Sequence, residues 1–203
     1  EKKKKKRVKA SKDSKVDADA MFPQSDYTET EARMREAYNT YTKYVTDPND
    51  KELPKIMYHR AKLAMNHNKF DTARPLLIEL LEKFDGSIYA AWSSEMFLDL
   101  LTISWTNKDN LPEQSLAASA ELEEWCNRFP TMQVWKHPEA EQIREAVPTL
   151  LMGIGWKKAM AYQDSGKRFV DGEEGGEADG FAKCADQFLT VFNDFEDHPK
   201  ADT

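Results

Sequence analysis

The sequence contains little glycine and little cysteine. Only 8 of its 203 residues are glycine, and 4 of these lie between residues 172 and 180. Long stretches without such breakers favour helices over strands. The two cysteines, Cys126 and Cys184, are far apart and lie on apolar helical patterns, so we expect them to pack as small hydrophobic side chains. Their spacing leaves a disulfide open as an alternative.

Long apolar runs are also missing. No stretch approaches the ~18 consecutive apolar residues that suggest a membrane span, so we predict no transmembrane segment in this chain. The sequence starts without a methionine and without an apolar secretory segment. We therefore expect the natural N-terminus to lie upstream, and the compartment cannot be read from the start of the chain.

Positive charge is scarce except in one place. Residues 1–16 contain 9 Lys and Arg against 2 acidic residues, whereas the remainder contains 20 against 34. Residues 1–26 lack periodic apolar positions and are predicted to form a disordered basic tail or linker. Binding to nucleic acid or to an anionic membrane is the alternative. The tail has no interleaved aromatic residues, and the acidic body would repel phosphate, so nucleic acid is not the expected partner.

What the sequence does contain is a repeated helical pattern. Three segments, 70–85, 115–130 and 181–196, align without gaps. A small residue in each is followed by large apolar residues four, seven and eight positions later, which places one broad apolar face on a helix. These positions are Ala73, Leu77, Leu80 and Leu81; Ala118, Leu122, Trp125 and Cys126; and Cys184, Phe188, Val191 and Phe192.

Another helix is predicted before each of these segments. Residues 51–67 carry Met57, Ala61 and Ala64 on one face, and residues 87–105 carry Trp92, Met96 and Leu100. Residues 138–166 form a longer predicted helix that could kink at Pro148, where a backbone donor is lost. A leading helix further upstream shows the same spacing at Ala37, Tyr41 and Tyr44.

This pattern resembles the tetratricopeptide repeat (TPR). The best unit is 54–85, which matches at Met57, Ala61, Phe70, Ala73, Leu77 and Leu80, although Asp85 stands where the family usually has proline. The second unit has a longer loop, and the third has an insertion. The resemblance implies an all-α fold, a right-handed superhelical solenoid of antiparallel helix pairs. It covers residues 27–203, with about three pairs plus a leading helix, truncated at the C-terminus.

The end of the third repeat also resembles bacterial cell-envelope members of the TPR family. The residues that carry this likeness are "FEDHPKAD" at 195–202. The likeness implies the bacterial periplasm or cell envelope as the compartment, with the cytoplasm as the alternative.

No pattern for catalysis or for a cofactor is present. His59 and His67 lie eight residues apart, whereas metal ligands on one helix usually lie three or four apart. The loop 170–180 contains five acidic residues that could hold calcium, but their spacing is not that of a calcium loop. We interpret it as a flexible, solvated insertion. The sequence therefore predicts no enzyme, no metal site and no cofactor.

The resemblance to TPR proteins also implies a binding surface. In that family the first helix of each pair lines a concave groove. In the best unit, the groove residues implied are Lys55, Tyr58, Lys62, Met65 and Asn66. Lys62 and Asn66 could together hold a carboxylate, while Tyr58 and Met65 would offer apolar contact. The alternative is that all five are ordinary solvated helix residues.

The function predicted from these features is non-catalytic. A stack of helix pairs presents an extended surface, so we expect a scaffold that binds a protein or peptide partner, with a carboxylate as the group recognised. Two alternatives remain: a spacer or oligomerisation module in a bacterial envelope or motility assembly, and a regulatory domain of an enzyme encoded elsewhere in the chain.

The last predicted helix suggests how the chain could associate with itself. Cys184, Phe188 and Val191 should contact helix 138–166, whereas Leu189 and Phe192 should lie on the opposite shoulder. A solenoid end normally has a polar cap, and this one is apolar. We therefore expect self-association through this C-terminal edge, or stabilisation by a further helix.

Overall fold

The described part of the protein is entirely helical. The computed structural model describes residues 22–107 and 112–195, without the side chains of residues 112 and 113. These residues form seven α-helices and no strand, which confirms the all-α prediction. The helices are α1 (Glu29–Tyr44), α2 (Leu53–Asn66), α3 (Phe70–Lys83), α4 (Ile88–Thr106), α5 (Pro112–Arg128), α6 (Glu141–Val170) and α7 (Gly180–Asp194).

Three 3-10 turns join α5 to α6. They are Phe129–Thr131, Gln133–Lys136 and Pro138–Ala140. The carboxylate of Asp85 accepts hydrogen bonds from the backbone amides of Gln133, at 2.6 Å, and Val134, at 2.8 Å. The turn after α3 is therefore tied to the turn after α5. Helix α6 begins three residues later than predicted and continues through Pro148 to Val170.

Helix α4 lies at the centre of the core. It contacts α2, α3, α5 and α6, which explains why its sequence is apolar on nearly all sides. Leu100, Leu101 and Phe97 are at most 2% exposed, whereas Trp92 and Met96 are only half-buried. All three residues of the predicted apolar face contact the core: Leu100 lies within it, and Trp92 and Met96 pack against it with part of each side chain exposed.

Helix α1 packs differently from the prediction. None of its residues is fully buried, and two of the three predicted packing residues, Ala37 and Tyr44, are exposed. The third, Tyr41, packs against the core, and polar side chains supply further contacts. Arg60 of α2 donates a hydrogen bond to the Thr42 hydroxyl at 3.2 Å, and the ring of Tyr38 stacks on that of His59 at 6.3 Å.

The segment before α1 is part of the fold from residue 22 onward. Phe22 packs edge-on against Phe70, with ring centroids 5.9 Å apart. The hydroxyl of Ser25 lies 2.8 Å from Nδ1 of His67, and the side chain of Asn68 donates to the carbonyl of Pro23 at 3.0 Å. The predicted boundary of the tail at residue 26 is therefore too late. Residues 1–21 of the predicted tail lie outside the described residues.

The start of α1 is fixed by Glu31. Its carboxylate accepts hydrogen bonds from the hydroxyl of Thr28, at 2.7 Å, and from its backbone amide, at 2.9 Å. The other carboxylate oxygen lies 3.1 Å from Nε2 of His67. The hydrogen bonds from Thr28, followed by the contact with His67, lower the pKa of Glu31 from 4.5 to about 2.

This lowered pKa predicts acid sensitivity. A carboxylate with a lower pKa in the folded than in the unfolded state stabilises the fold above the unfolded pKa. The contribution of Glu31 should therefore be complete above pH 4.5 and lost as the pH falls towards about 2. Glu31→Gln should lower the midpoint of urea denaturation above pH 4.5 and reduce its fall towards pH 2. Glu29→Gln, whose carboxylate pairs with Arg33 on the same helix, is the control. Parallel pH curves for the two variants would contradict the assignment.

Glycines allow α6 and α7 to approach closely. A Cβ at Gly155 would clash with Val191, and one at Gly180 would lie 2.5 Å from the backbone nitrogen of Gly166. In the loop between the helices, the amide of Glu177 donates to the carbonyl of Ser165 at 3.3 Å. The acidic loop was predicted to be flexible and solvated. Residues 171–175 and 177–179 are exposed, as predicted, whereas Gly176 and Gly180 lie close against the last turns of α6.

The outer face of α7 is apolar and uncovered. Cys184 is buried, and Phe188 packs on Trp156 of α6 with ring centroids 4.8 Å apart. Leu189 and Phe192 are 59% and 57% exposed. The two faces of this helix therefore lie as the sequence indicated. The final predicted element, after residue 195, lies outside the described residues. Over the described ranges, no helix combines the length and apolar character that crossing a membrane requires.

Candidate functional site

A shallow cleft separates the exposed faces of α2 and α4. Its volume is about 460 Å³, and both helices contribute side chains to it. Because α2 and α4 pack directly on each other, their outward-facing residues form the two walls of one surface. The lining residues are Tyr58, His59 and Lys62 of α2, and Trp92, Glu95, Met96 and Asp99 of α4.

The aromatic rings of Tyr58 and Trp92 line one end of the cleft, and the ring of Tyr89 packs against both. The ring centroids of Tyr58, Tyr89 and Trp92 lie 5.5 to 5.9 Å from one another. These separations are typical of favourable edge and tilted aromatic contacts. Tyr58 is only 8% exposed, so its position is fixed by the core. The Trp92 indole donates a long hydrogen bond to Glu139 at 3.4 Å. The result is a held aromatic surface that can receive an apolar side chain without reordering.

The α2 wall carries positive charge. The Lys62 ammonium lies 5.5 Å from the centroid of the Tyr58 ring, a cation–π distance. Burial, together with the charges of Lys62 and Lys55, lowers the pKa of His59 below 6.5. His59 is therefore neutral near pH 7 and can either donate or accept a hydrogen bond.

The α4 wall carries negative charge. Glu95 and Asp99 are one helical turn apart and both line the cleft, which places their carboxylates on the same side of α4. Burial raises the pKa of Asp99 above its usual 3.8. A ligand in the cleft thus meets a lysine on one wall, two carboxylates on the other and aromatic rings at the end.

The five residues predicted to line the groove have different positions. Tyr58 and Lys62 line the cleft. The ammonium of Lys55 lies 3.0 Å from the carboxylate of Glu52, and this hydrogen bond raises the pKa of Lys55. Met65 is half-buried and packs against the core. Asn66 is exposed at the end of α2 and is not among the residues that line the cleft. The structure therefore brings two of the five together.

The α4 wall was not assigned from the sequence. Trp92, Glu95, Met96 and Asp99 have helical spacings of three, four and seven, which would place them on one face. That signal was hidden because apolar residues surround it on α4. His59 was considered only as a metal ligand, and its place beside Lys62 became visible only in the fold.

Potential metal ligands are dispersed, and both thiols are buried, in the part of the chain that the structure describes. No group of three or more His, Cys, Asp or Glu side chains lies close enough to hold a metal ion in residues 22–107 and 112–195. Cys126 and Cys184 are free thiols, and both are buried. Burial, and to a lesser degree the charge of Glu123, raises the pKa of Cys126 to about 12. The Cys126 thiol therefore stays protonated, as expected of a side chain that serves packing.

Comparison with known proteins gives no assignment. No protein-family model, no curated protein and no solved structure matches the chain.

Proposed function

We propose that this chain is a non-catalytic scaffold that binds an extended peptide segment of a partner protein in the cleft between α2 and α4. The observation that carries this proposal is the composition of the cleft: a fixed aromatic end with opposite charges on its two walls. Aromatic side chains give large contact area at low entropic cost, and charges at the rim select orientation and register.

The order of helix contacts supports a TPR-like arrangement. Each helix packs on the next one in the chain, and α2 contacts α4, which contacts α6. This is the pattern expected if α2–α3, α4–α5 and α6–α7 are successive helix pairs whose first helices line one side of a right-handed solenoid. In that arrangement the cleft lies on the inner side, where an extended peptide would have the longest surface to follow.

The two walls suggest what the peptide carries. Lys62 favours a carboxylate on the peptide, as predicted from the sequence, and Glu95 and Asp99 on the facing wall favour a cationic group beside it. The aromatic end favours an apolar or aromatic side chain beside that carboxylate. Lys55 is already paired with Glu52, so we assign the carboxylate contact mainly to Lys62.

Panning of a random peptide display library on the full chain tests this proposal. Selected peptides should bind at least about tenfold more weakly to Trp92→Ala, because loss of a central aromatic contact typically costs about 2 kcal/mol or more. Phe169→Ala is the matched control, since Phe169 is an exposed aromatic residue near the end of α6. Binding that depends on Phe169 and not on Trp92 would place the site elsewhere. Weaker binding of the selected peptides to a Lys62→Glu variant would then show that they contact Lys62 through a carboxylate.

A second candidate function is oligomerisation through α7. The exposed side chains of Leu189 and Phe192 favour it, because apolar side chains that cluster on one helix face often mark a contact surface. In this case the chain would act as a spacer within an assembly and would need no ligand in the cleft. Sedimentation velocity tests it: a chain that stays monomeric at every concentration examined would exclude association through this face.

A further inference from the structure

A second pocket lies on the opposite side of α2. Its volume is about 370 Å³, and it is bounded by the end of α1, the loop after it, α2 and the end of α3. At roughly 30 Å³ for each heavy atom, the share of a water molecule in liquid, it would hold about a dozen atoms. The lining residues used below are Val45, Leu53, Met57, Arg60, Glu79 and Phe84.

The floor of this pocket is apolar. Leu53 and Met57 are 6% and 4% exposed and belong to the core, so the floor is rigid. Val45 and Phe84 extend the apolar lining. Five of the ten lining residues are apolar and the other five are polar or charged. An apolar floor with a few convergent polar groups is a usual form of a small-molecule site.

The polar edge has one positive charge in excess. Lys83 also lines the pocket, but its ammonium lies 2.7 Å from the carboxylate of Glu79, so this pair is neutral as a unit. Arg60 donates to the neutral hydroxyl of Thr42 at 3.2 Å. Among the residues that the structure describes, no carboxylate lies within 4.0 Å of the Arg60 guanidinium. A half-buried guanidinium beside an apolar floor is best satisfied by an anion with an apolar body.

We propose that this pocket binds an organic monocarboxylate of about ten heavy atoms, with the carboxylate on Arg60 and the apolar part over Leu53 and Met57. Because the pocket has one positive charge in excess, a ligand with one negative charge would neutralise it. The planar guanidinium can hold both oxygens of a carboxylate, which a lysine cannot do in the same geometry. The Thr42 hydroxyl would keep the guanidinium at the edge of the pocket. This site is independent of the cleft between α2 and α4, because Arg60 and Lys62 of α2 project about 200° apart around the helix.

Calorimetric titration of the full chain with octanoate is the direct test, with octanol as the neutral ligand of the same length. Octanoate should bind, and octanol should bind at least about tenfold more weakly, since a charged hydrogen bond contributes about 1.5–3 kcal/mol. N-acetylleucine and its amide form a second pair that represents a peptide C-terminus and fits the pocket in size. The acid that binds more tightly identifies the natural ligand: octanoate indicates a fatty acid, and the N-acetylated amino acid indicates a peptide C-terminus.

Variants separate this proposal from non-specific apolar binding. Arg60→Gln should weaken octanoate binding at least tenfold, and Arg60→Lys by less, because it keeps the charge but not the paired donors. Lys83→Gln is the control and should change binding less than twofold, since Lys83 already has a partner. Circular dichroism confirms that each variant is folded. Absence of binding by both acids, equal binding of acid and neutral ligand, or equal effects of the Arg60 and Lys83 variants would overturn the proposal.

Discussion

Phe97→Ala is expected to destabilise the chain by about 3–5 kcal/mol, the usual cost of removing a fully buried aromatic ring. Phe97 is 0% exposed at the centre of α4, and its ring meets that of Trp125 in α5 edge-on, with centroids 4.7 Å apart. The substitution therefore leaves a cavity between two helices and also removes an aromatic contact. Neighbouring helices can close only part of that space, because they are held by their own contacts.

The matched control for this prediction is Phe192→Ala. Phe192 is 57% exposed on the outer face of α7, so its removal should change the free energy of unfolding by no more than about 0.5 kcal/mol. Urea denaturation followed by circular dichroism gives both values, provided that the slope of the free energy against urea is the same for each protein. Similar losses for the two variants would show that α4 is not the central helix of the core.

Gly180→Ala should loosen α7 from α6 at a cost of about 1–3 kcal/mol, as expected for overpacking. A Cβ at this position would lie 2.5 Å from the nitrogen of Gly166 and 2.8 Å from the carbonyl oxygen of Tyr162. Both are backbone atoms, so no side chain can move aside to make room. The first turn of α7 would have to shift away from α6 and would disturb the contacts of Cys184 and Phe188 further along.

Gly153→Ala is the control for this second prediction. Gly153 lies inside α6, and an added Cβ would meet only a ring carbon of Trp105 at 3.4 Å. Alanine is favoured over glycine in a helix by about 0.5–1 kcal/mol, so this variant should be neutral or slightly more stable. Hydrogen exchange of the α7 amides should accelerate in Gly180→Ala and not in Gly153→Ala. Unchanged exchange in both would mean that α7 does not depend on the close approach.

The helices that were well predicted are those with a clear apolar period. Leu77, Leu80 and Leu81 of α3 are all 0% exposed, and their spacing alone placed them on one face. Helix α3 begins at Phe70, within one residue of the predicted start at Asp71. In such helices the local pattern and the tertiary packing agree, so the sequence alone is sufficient to predict which face is buried.

Other features depended on contacts between residues distant in the chain. The position of Ser25 against His67 spans 42 residues and leaves no periodic signal in the sequence. Helix α1 was only partly predicted: Tyr41 packs against the core, whereas the apolar spacing of Ala37 and Tyr44 was misleading because further contacts with α2 are polar. On α4 the opposite problem occurred: apolar residues on most sides concealed the cleft-facing wall.

The candidate site was predictable to the extent that one helix defines it. Tyr58 and Lys62 were identified from the resemblance to the tetratricopeptide repeat, in which the first helix of a pair lines the groove. Their partners across the cleft, Trp92 and Asp99, could not be identified without the register of α4 against α2. Prediction of the Arg60 pocket would require the relative positions of three helices, because α1, α2 and α3 all contribute residues to it.

The most direct test of the scaffold proposal is NMR of the tryptophan side chains. The chain has five tryptophans, so single Trp→Phe variants can assign the five indole signals. Addition of a peptide selected on the full chain should shift the signal of Trp92 at the cleft. It should leave that of Trp156, which is 54% exposed beside α7, unchanged. A shift at Trp156 without one at Trp92 would contradict the proposal and place the binding surface on the α6–α7 face.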